Sequence, residues 1–428
     1  MKSILFIKDT TANRISYYLM ACFLVCLPLG RLYSEITFIC LGVHTLLTLQ
    51  IERLDLLLNK RVLIILSLYL LGLIGILYSP DIQEAINVSN RQLAILLFPI
   101  LLTLNPIDLD RYKLALLKIF AFTCVATILY LYAAAFYEIA ARDLPFSRLF
   151  SLGFMNHNFS LPIHLHATYL SMFTALSVTF FLYLFQQDKT RSVRIIYGAC
   201  ITILLGGMVQ LSSRAAFIAL LIIINIGFPF FLLKEKQRIR FITIVIILSA
   251  GTLFSIYNID SFKTRYVSEL KNDLGMDTTN VEFTEPRMAR WKTEMGLIKR
   301  SPLIGYGSGS EKRLLKKAFY ENHLYISYAL DFNSHSQYLS FLLNMGLLGL
   351  AGYLFVLGYA FSIAWKERDI NFLGFLVIIS TVSFSENILF LNKGIFFYSF
   401  FLSYFLLAGK KKKMRGAATL ADPTGNPG

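Results

Sequence analysis

The chain is 428 residues long, 56% hydrophobic and only 16% charged, and it carries a formal net charge of +15. Its apolar runs repeatedly reach the roughly 20 residues that cross a bilayer core, which excludes an ordinary soluble domain and points to a polytopic membrane protein. No nucleic-acid partner is expected from the charge, because the basic residues follow a topological pattern.

Apolar runs near 15–30, 34–49, 61–78, 91–104, 114–137, 161–185, 195–212, 214–233, 240–258, 335–363, 371–390 and 394–409 predict about twelve transmembrane helices. The first run lacks a small-residue cleavage site and is followed by further spans, so no cleavable signal peptide is expected. The second, fourth and last runs are short, which implies tilt, an interfacial placement or extension by neighbours such as Pro99. Turn-like connections, SPD at Ser79 to Asp81 and NPID at Asn105 to Asp108, punctuate them. Alternate connections hold Lys2, Lys8 and Arg14, then Arg53, Lys60 and Arg61, Arg111 and Lys113, Lys189 to Arg194, Lys234 to Arg240, Lys366 and Arg368, and Lys410 to Lys413. The opposite set is poorer in Lys and Arg wherever it is short, which predicts that both termini are cytoplasmic. All five cysteines lie in apolar runs, as buried small hydrophobes rather than a disulfide framework.

Two outer segments are longer. One starts at Glu138 and, with its flank, carries Arg142, Arg148, His157, His164 and His166; the spacing of these histidines matches no metal site. The other, from Asn258 to Ser334, is too long for a bare connector. Within it SFKTRYVSEL, PRMARWKTEMGLIKR and EKRLLKKAFYENHLYISYAL read as amphipathic helices and predict a helical cap on the outer face. The GYGSGS run has the wrong spacing for a dinucleotide loop and no preceding strand, so it reads as a flexible turn. His44 reads as a core residue hydrogen-bonded to a neighbour.

The polar island from about Glu285 to Gly349 is costly at a membrane edge unless it has a function. Arg214 stands at the junction of two apolar runs, where an arginine costs roughly 2.5–3.5 kcal/mol near a helix centre and less near its end. It either snorkels to the interface or aims its fork of donors at a phosphate. Arg287 and Trp291 share a helix face from which Arg290 is displaced, either as a solvated basic surface or as an anion site; Arg265 is similar. His335 opens a span, with Asn333 and Ser334 ahead of it as helix-start residues, and a neutral imidazole there can take a proton from a hydroxyl. Glu386, near an outer span end, can pair with an arginine or orient His335. No pair of carboxylates stands out as acid and nucleophile.

The combination of HATYLSMF (His166 to Phe173), SSRAAF (Ser212 to Phe217), PRMARWKTEMGLIKRSPLIGYGSGS and SHSQYLSFLLNMGLLGL closely resembles the O-antigen ligase and O-antigen polymerase superfamily. The likeness runs from about Arg91 onward and is strongest from Arg287 to Leu350. It implies a membrane glycosyltransferase-like fold; the apolar runs, amphipathic stretches and tail composition themselves predict an all-α chain with helices one to nine over 1–258, a periplasmic helical cap over 259–334, the last three helices over 335–409, and a basic, disordered cytoplasmic tail over 410–428. It also implies an inner-membrane location with the active site on the periplasmic side. His335 matches the essential His of an H-[NS]-x-Y-L pattern, in which Ser336 stands for the commoner Asn and Tyr338 for the Tyr. Arg214 matches the membrane-edge Arg and Arg287 the loop Arg four before Trp.

The implied reaction moves a glycan from an undecaprenyl-pyrophosphate donor to a hydroxyl of lipid A-core, with inversion and without metal or cofactor. His335 is the expected base, and Arg214, Arg287, Arg290 and Arg265 bind the diphosphate. Glu386, Trp291, Tyr338 and His166 are candidate supporting residues, and membrane lipid surrounds the chain. A polymerase joining lipid-linked repeats fits the same motifs. A transporter or lipid-linked-sugar flippase fits the span count but not the gathering of polar residues at one face.

Overall fold

The computed structural model describes residues 6–258, 260–275 and 285–408. The tail expected over 410–428 and the basic cluster Lys410 to Lys413 lie outside the described residues, as does Lys2. Among the described residues the secondary structure is helical throughout, with no strand.

The apolar runs are largely helical. In order these are α1 (Thr11–Cys26), α2 (Arg31–Leu47), α3 (Lys60–Ile74), α4 (Ile82–Arg91), α5 (Leu93–Leu104), α6 (Leu109–Ala141), α7 (Ala167–Gln187), α8 (Arg191–Leu211), α9 (Arg214–Ile222) and α10 (Glu235–Asn258). The long polar segment between α10 and α15 holds α11 (260–273), α12 (Arg287–Ile298), α13 (Glu311–Glu321) and α14 (Tyr325–Ala329). Then come α15 (Gln337–Glu367), α16 (Ile370–Val382) and α17 (Asn392–Leu407). The third amphipathic stretch is thus two helices, parted by a turn at His323, where φ is +60°.

The span count differs from the expected twelve. Among the described residues six helices are long and apolar enough to cross a membrane, or up to seven when Arg31–Leu47 and Ile51–Leu58 are taken as one bent span. α16 has 13 residues and α17 has 16, and at about 1.5 Å per residue neither reaches across a hydrocarbon core of roughly 30 Å. α17 is buried along nearly its whole length, with Phe397 and Phe401 in tilted and edge-on contact with Phe120, Phe173 and Phe375. A helix apolar on every face and enclosed by protein has no lipid thickness to match. α7 is similarly enclosed, packed by α6, α8, α9 and α16.

The short turns act as helix starts: Asp81 of SPD accepts from the backbone N–H of Glu84 to cap α4, and Asp108 of NPID accepts from that of Arg111 to cap α6. His44 meets the Ala12 carbonyl at 3.0 Å, and all five cysteines are free thiols.

α15 is interrupted at Gly346, whose φ of +61° and ψ of −156° lie outside any helix. The segment ahead of α13 repairs the interruption. Tyr306 N donates to Leu343 O and Gly307 N to Asn344 O, while Leu347 N and Leu348 N donate to the carbonyls of Pro302 and Leu303. A Cβ on Gly346 would stand 2.3 Å from the Leu303 carbonyl carbon, and one on Gly305 would stand 2.6 Å from the backbone of Met345. The GYGSGS run is therefore a tightly packed wedge, not the flexible turn expected, because backbone meets backbone there with no room for a side chain.

Candidate functional site

The site is built where two helices give way to irregular backbone. α16 ends at Val382, short of the expected span end, and the chain unwinds until α17 begins at Asn392. Irregular backbone at membrane depth persists only where protein satisfies it. Here Gln337 N donates to Ser383 O, Arg287 Nη1 to Ser385 O at 3.1 Å, and Gln92 Nε2 to Leu389 O at 3.0 Å, while Gln337 Oε1 accepts from Leu389 N. This unwinding frees Glu386 from a helix and turns it toward the second irregular stretch, 332–336.

That stretch carries His335. The helix start falls later than expected: Ser336, not Asn333 or Ser334, is the N-cap of α15. Asn333 Oδ1 instead accepts from His335 N at 3.0 Å. His335 adopts φ of +45°, a conformation uncommon for a side-chain-bearing residue and typical of positions that the surroundings over-determine. Its Nδ1 lies 3.8 Å from Glu386 Oε2, too long for a hydrogen bond but within ion-pair range, and is buried without a hydrogen-bond partner. The ring stands edge-on to Phe332, with centroids 5.5 Å apart.

Arg214, Arg265, Arg287, Trp291 and Glu386 line one cavity of about 360 Å³. A residue that sequence reasoning missed joins the arginines. Asp273, at the end of α11, accepts from Arg214 Nη2 through Oδ2, and its Oδ1 lies 3.6 Å from Arg287 Nε. Arg214 Nη1 and Arg265 Nε are buried with no hydrogen-bond partner in the protein, so donor capacity is left over; Arg265 also pairs with Glu269. Ile218, Leu270, Leu274, Met288 and Phe384 supply apolar wall. A cavity cationic on one side and greasy on the other suits an anion carried on a hydrocarbon.

The remaining candidates lie elsewhere. Arg290 is buried with its guanidinium 4.7 Å from the centre of the Phe332 ring and does not line the cavity, and burial, then the neighbouring Arg287, lowers its pKa to about 10. Trp291 reaches His335 indirectly, since its Nε1 donates to Ser334 O at 2.9 Å. Tyr338 points to α16, donating to Ser380 O at 2.8 Å. His166 caps α7, its Nδ1 accepting from Thr168 N, and its ring lies 4.1 Å from that of His157, whose pKa burial pushes down. Both lie in the electrostatic surroundings of Glu386, as do His335 and Arg287.

A second cavity, of about 140 Å³, adjoins the same irregular stretches. Glu386 lines the first cavity and Asn387 the second; Phe332, Asn333 and Gln337 from either side of His335 line the second, with Arg91, Gln92 and Phe341.

Fold and site together define a multi-pass helical membrane protein with a charged cavity built from loop and span residues. Residues 198–354 match the family model for O-antigen ligase (Wzy_C), which supports the likeness to the O-antigen ligase superfamily. The matched segment holds Arg214, Arg265, Arg287, Arg290, Trp291, His335 and Tyr338; it begins after HATYLSMF and ends before Glu386, so both fall outside it. No curated protein matches the chain at a significant level.

Proposed function

We propose that the protein is an O-antigen ligase of the bacterial inner membrane, transferring a glycan from undecaprenyl pyrophosphate to a hydroxyl of lipid A-core at the periplasmic face beneath a helical cap. The observation that carries this reading is the meeting of Arg214 and Arg287 on one carboxylate, in a cavity whose Glu386 faces His335. The acceptor oxygen forms a bond to C1 of the donor sugar while His335 takes its proton, and the C1–O bond to the diphosphate breaks with its electron pair leaving on the diphosphate. Arg214 and Arg287 meet that growing charge, and Glu386 stabilises the imidazolium that forms. A diphosphate leaves without protonation, so the reaction requires no second acid. Inversion demands attack from the side opposite the leaving group, a role that suits the second cavity.

Asp273 occupies the arginines as a competing anion in this reading. Asp273→Asn is therefore expected to bind undecaprenyl pyrophosphate severalfold tighter, up to about tenfold, which corresponds to roughly 1.4 kcal/mol. Titration of the full-length protein in detergent measures it; weaker binding would mean that Asp273 holds the arginines in place.

The function is tested with purified protein in vesicles, given lipid-linked glycan and either lipid A-core or a second lipid-linked repeat. Transfer to lipid A-core is the expected result. Transfer to the lipid-linked repeat alone identifies a polymerase, and movement of donor across the vesicle without a new glycosidic bond identifies a carrier.

A further inference from the structure

Glu311, the first residue of α13, is 8% exposed and has no part in the chemistry above. Its Oε1 accepts from Ser334 N at 3.0 Å and from Asn387 Nδ2 at 3.2 Å. Its Oε2 accepts from Asn344 Nδ2 at 3.2 Å and from the Ser340 hydroxyl. Ser334 directly precedes His335, and Asn387 directly follows Glu386. One carboxylate thus ties together the neighbours of both members of the pair, although they come from stretches on opposite ends of α15 and α16.

The clamp on Ser334 is complete. Its N–H goes to Glu311, its hydroxyl to Glu294 Oε1 at 2.5 Å, and its carbonyl accepts from Trp291 Nε1 at 2.9 Å. All three partners come from the outer-loop helices α12 and α13. Such fixing is what a residue held at positive φ requires of its surroundings. A carboxylate suits the junction because two oxygens are needed to receive these donors, and an amide offers one.

We infer that Glu311 is a positioning residue that sets the separation and orientation of His335 and Glu386, with Glu294 and Trp291 fixing the backbone beside it. This rests on the reading of His335 as the base. It assigns the outer-loop helices a direct part in aligning that base.

The test uses full-length protein reconstituted in vesicles and the transfer assay above, with Glu311→Gln, Glu386→Gln, the double variant and His335→Ala. Glu311→Gln is expected to lower kcat about tenfold or more, as small misplacements of reacting groups do, while donor binding and KM stay within about twofold. The double variant is expected to be no slower than the slower single variant, because both changes break one coupled unit. Losses that multiply in the double variant, or a raised KM with unchanged kcat, overturn the assignment. If Glu311→Gln fails to accumulate, Asn387→Ala keeps the carboxylate and is read the same way, with a severalfold loss of kcat expected. Retained transfer in His335→Ala would sink the base itself. Lost transfer there combined with multiplying losses would sink only the role of Glu311.

Discussion

His335→Ala is expected to lower turnover by roughly 10²–10⁴-fold, the usual contribution of a positioned general base, without loss of folding or donor binding. Binding should survive because the proposed diphosphate contacts are those of Arg214 and Arg287, on other elements. Rescue by a neighbouring imidazole is not expected, since His166 is committed to capping α7 and packs against His157. Single-turnover transfer measured beside donor titration separates the effects; undiminished turnover would remove His335 from the chemistry.

Arg214→Ala and Arg287→Ala should each cost about 10²–10³ in kcat and weaken donor binding as well, because in the proposed reaction both guanidiniums face charge that grows on the leaving group. The larger loss is expected at Arg287. Its Nε faces Asp273 while its Nη1 supports Ser385 O, so truncation also releases the backbone beside Glu386. Lysine at either position should recover only part of the loss, because a point charge cannot serve two directions at once. Full rescue by Arg287→Lys would reduce the site to simple charge attraction.

Much of this was legible in the sequence. Apolar period located the helices, and the cost of placing arginine at a membrane edge singled out Arg214. The i, i+4 spacing put Arg287 and Trp291 on one face, and a further step of three would have added Glu294, whose place beside Ser334 went unread. Hydropathy could not show that α16 stops at Val382, because the apolar run resumes at Ile388 after the polar SFSEN and the side chains that satisfy the unwound backbone come from Gln92, Arg287 and Gln337. Nor did anything set Asp273 apart from other loop acids, since its partners lie far off in sequence and only the fold brings them together.

The repair of the Gly346 interruption has a practical consequence. The peptide 301–307 owes its shape to carbonyls and amides of α15, so the outer segment has no complete set of internal partners of its own. Excised as a soluble fragment, it would lose the template against which its glycines are folded. Work on ligand capture by this segment is therefore best done with the membrane helices attached.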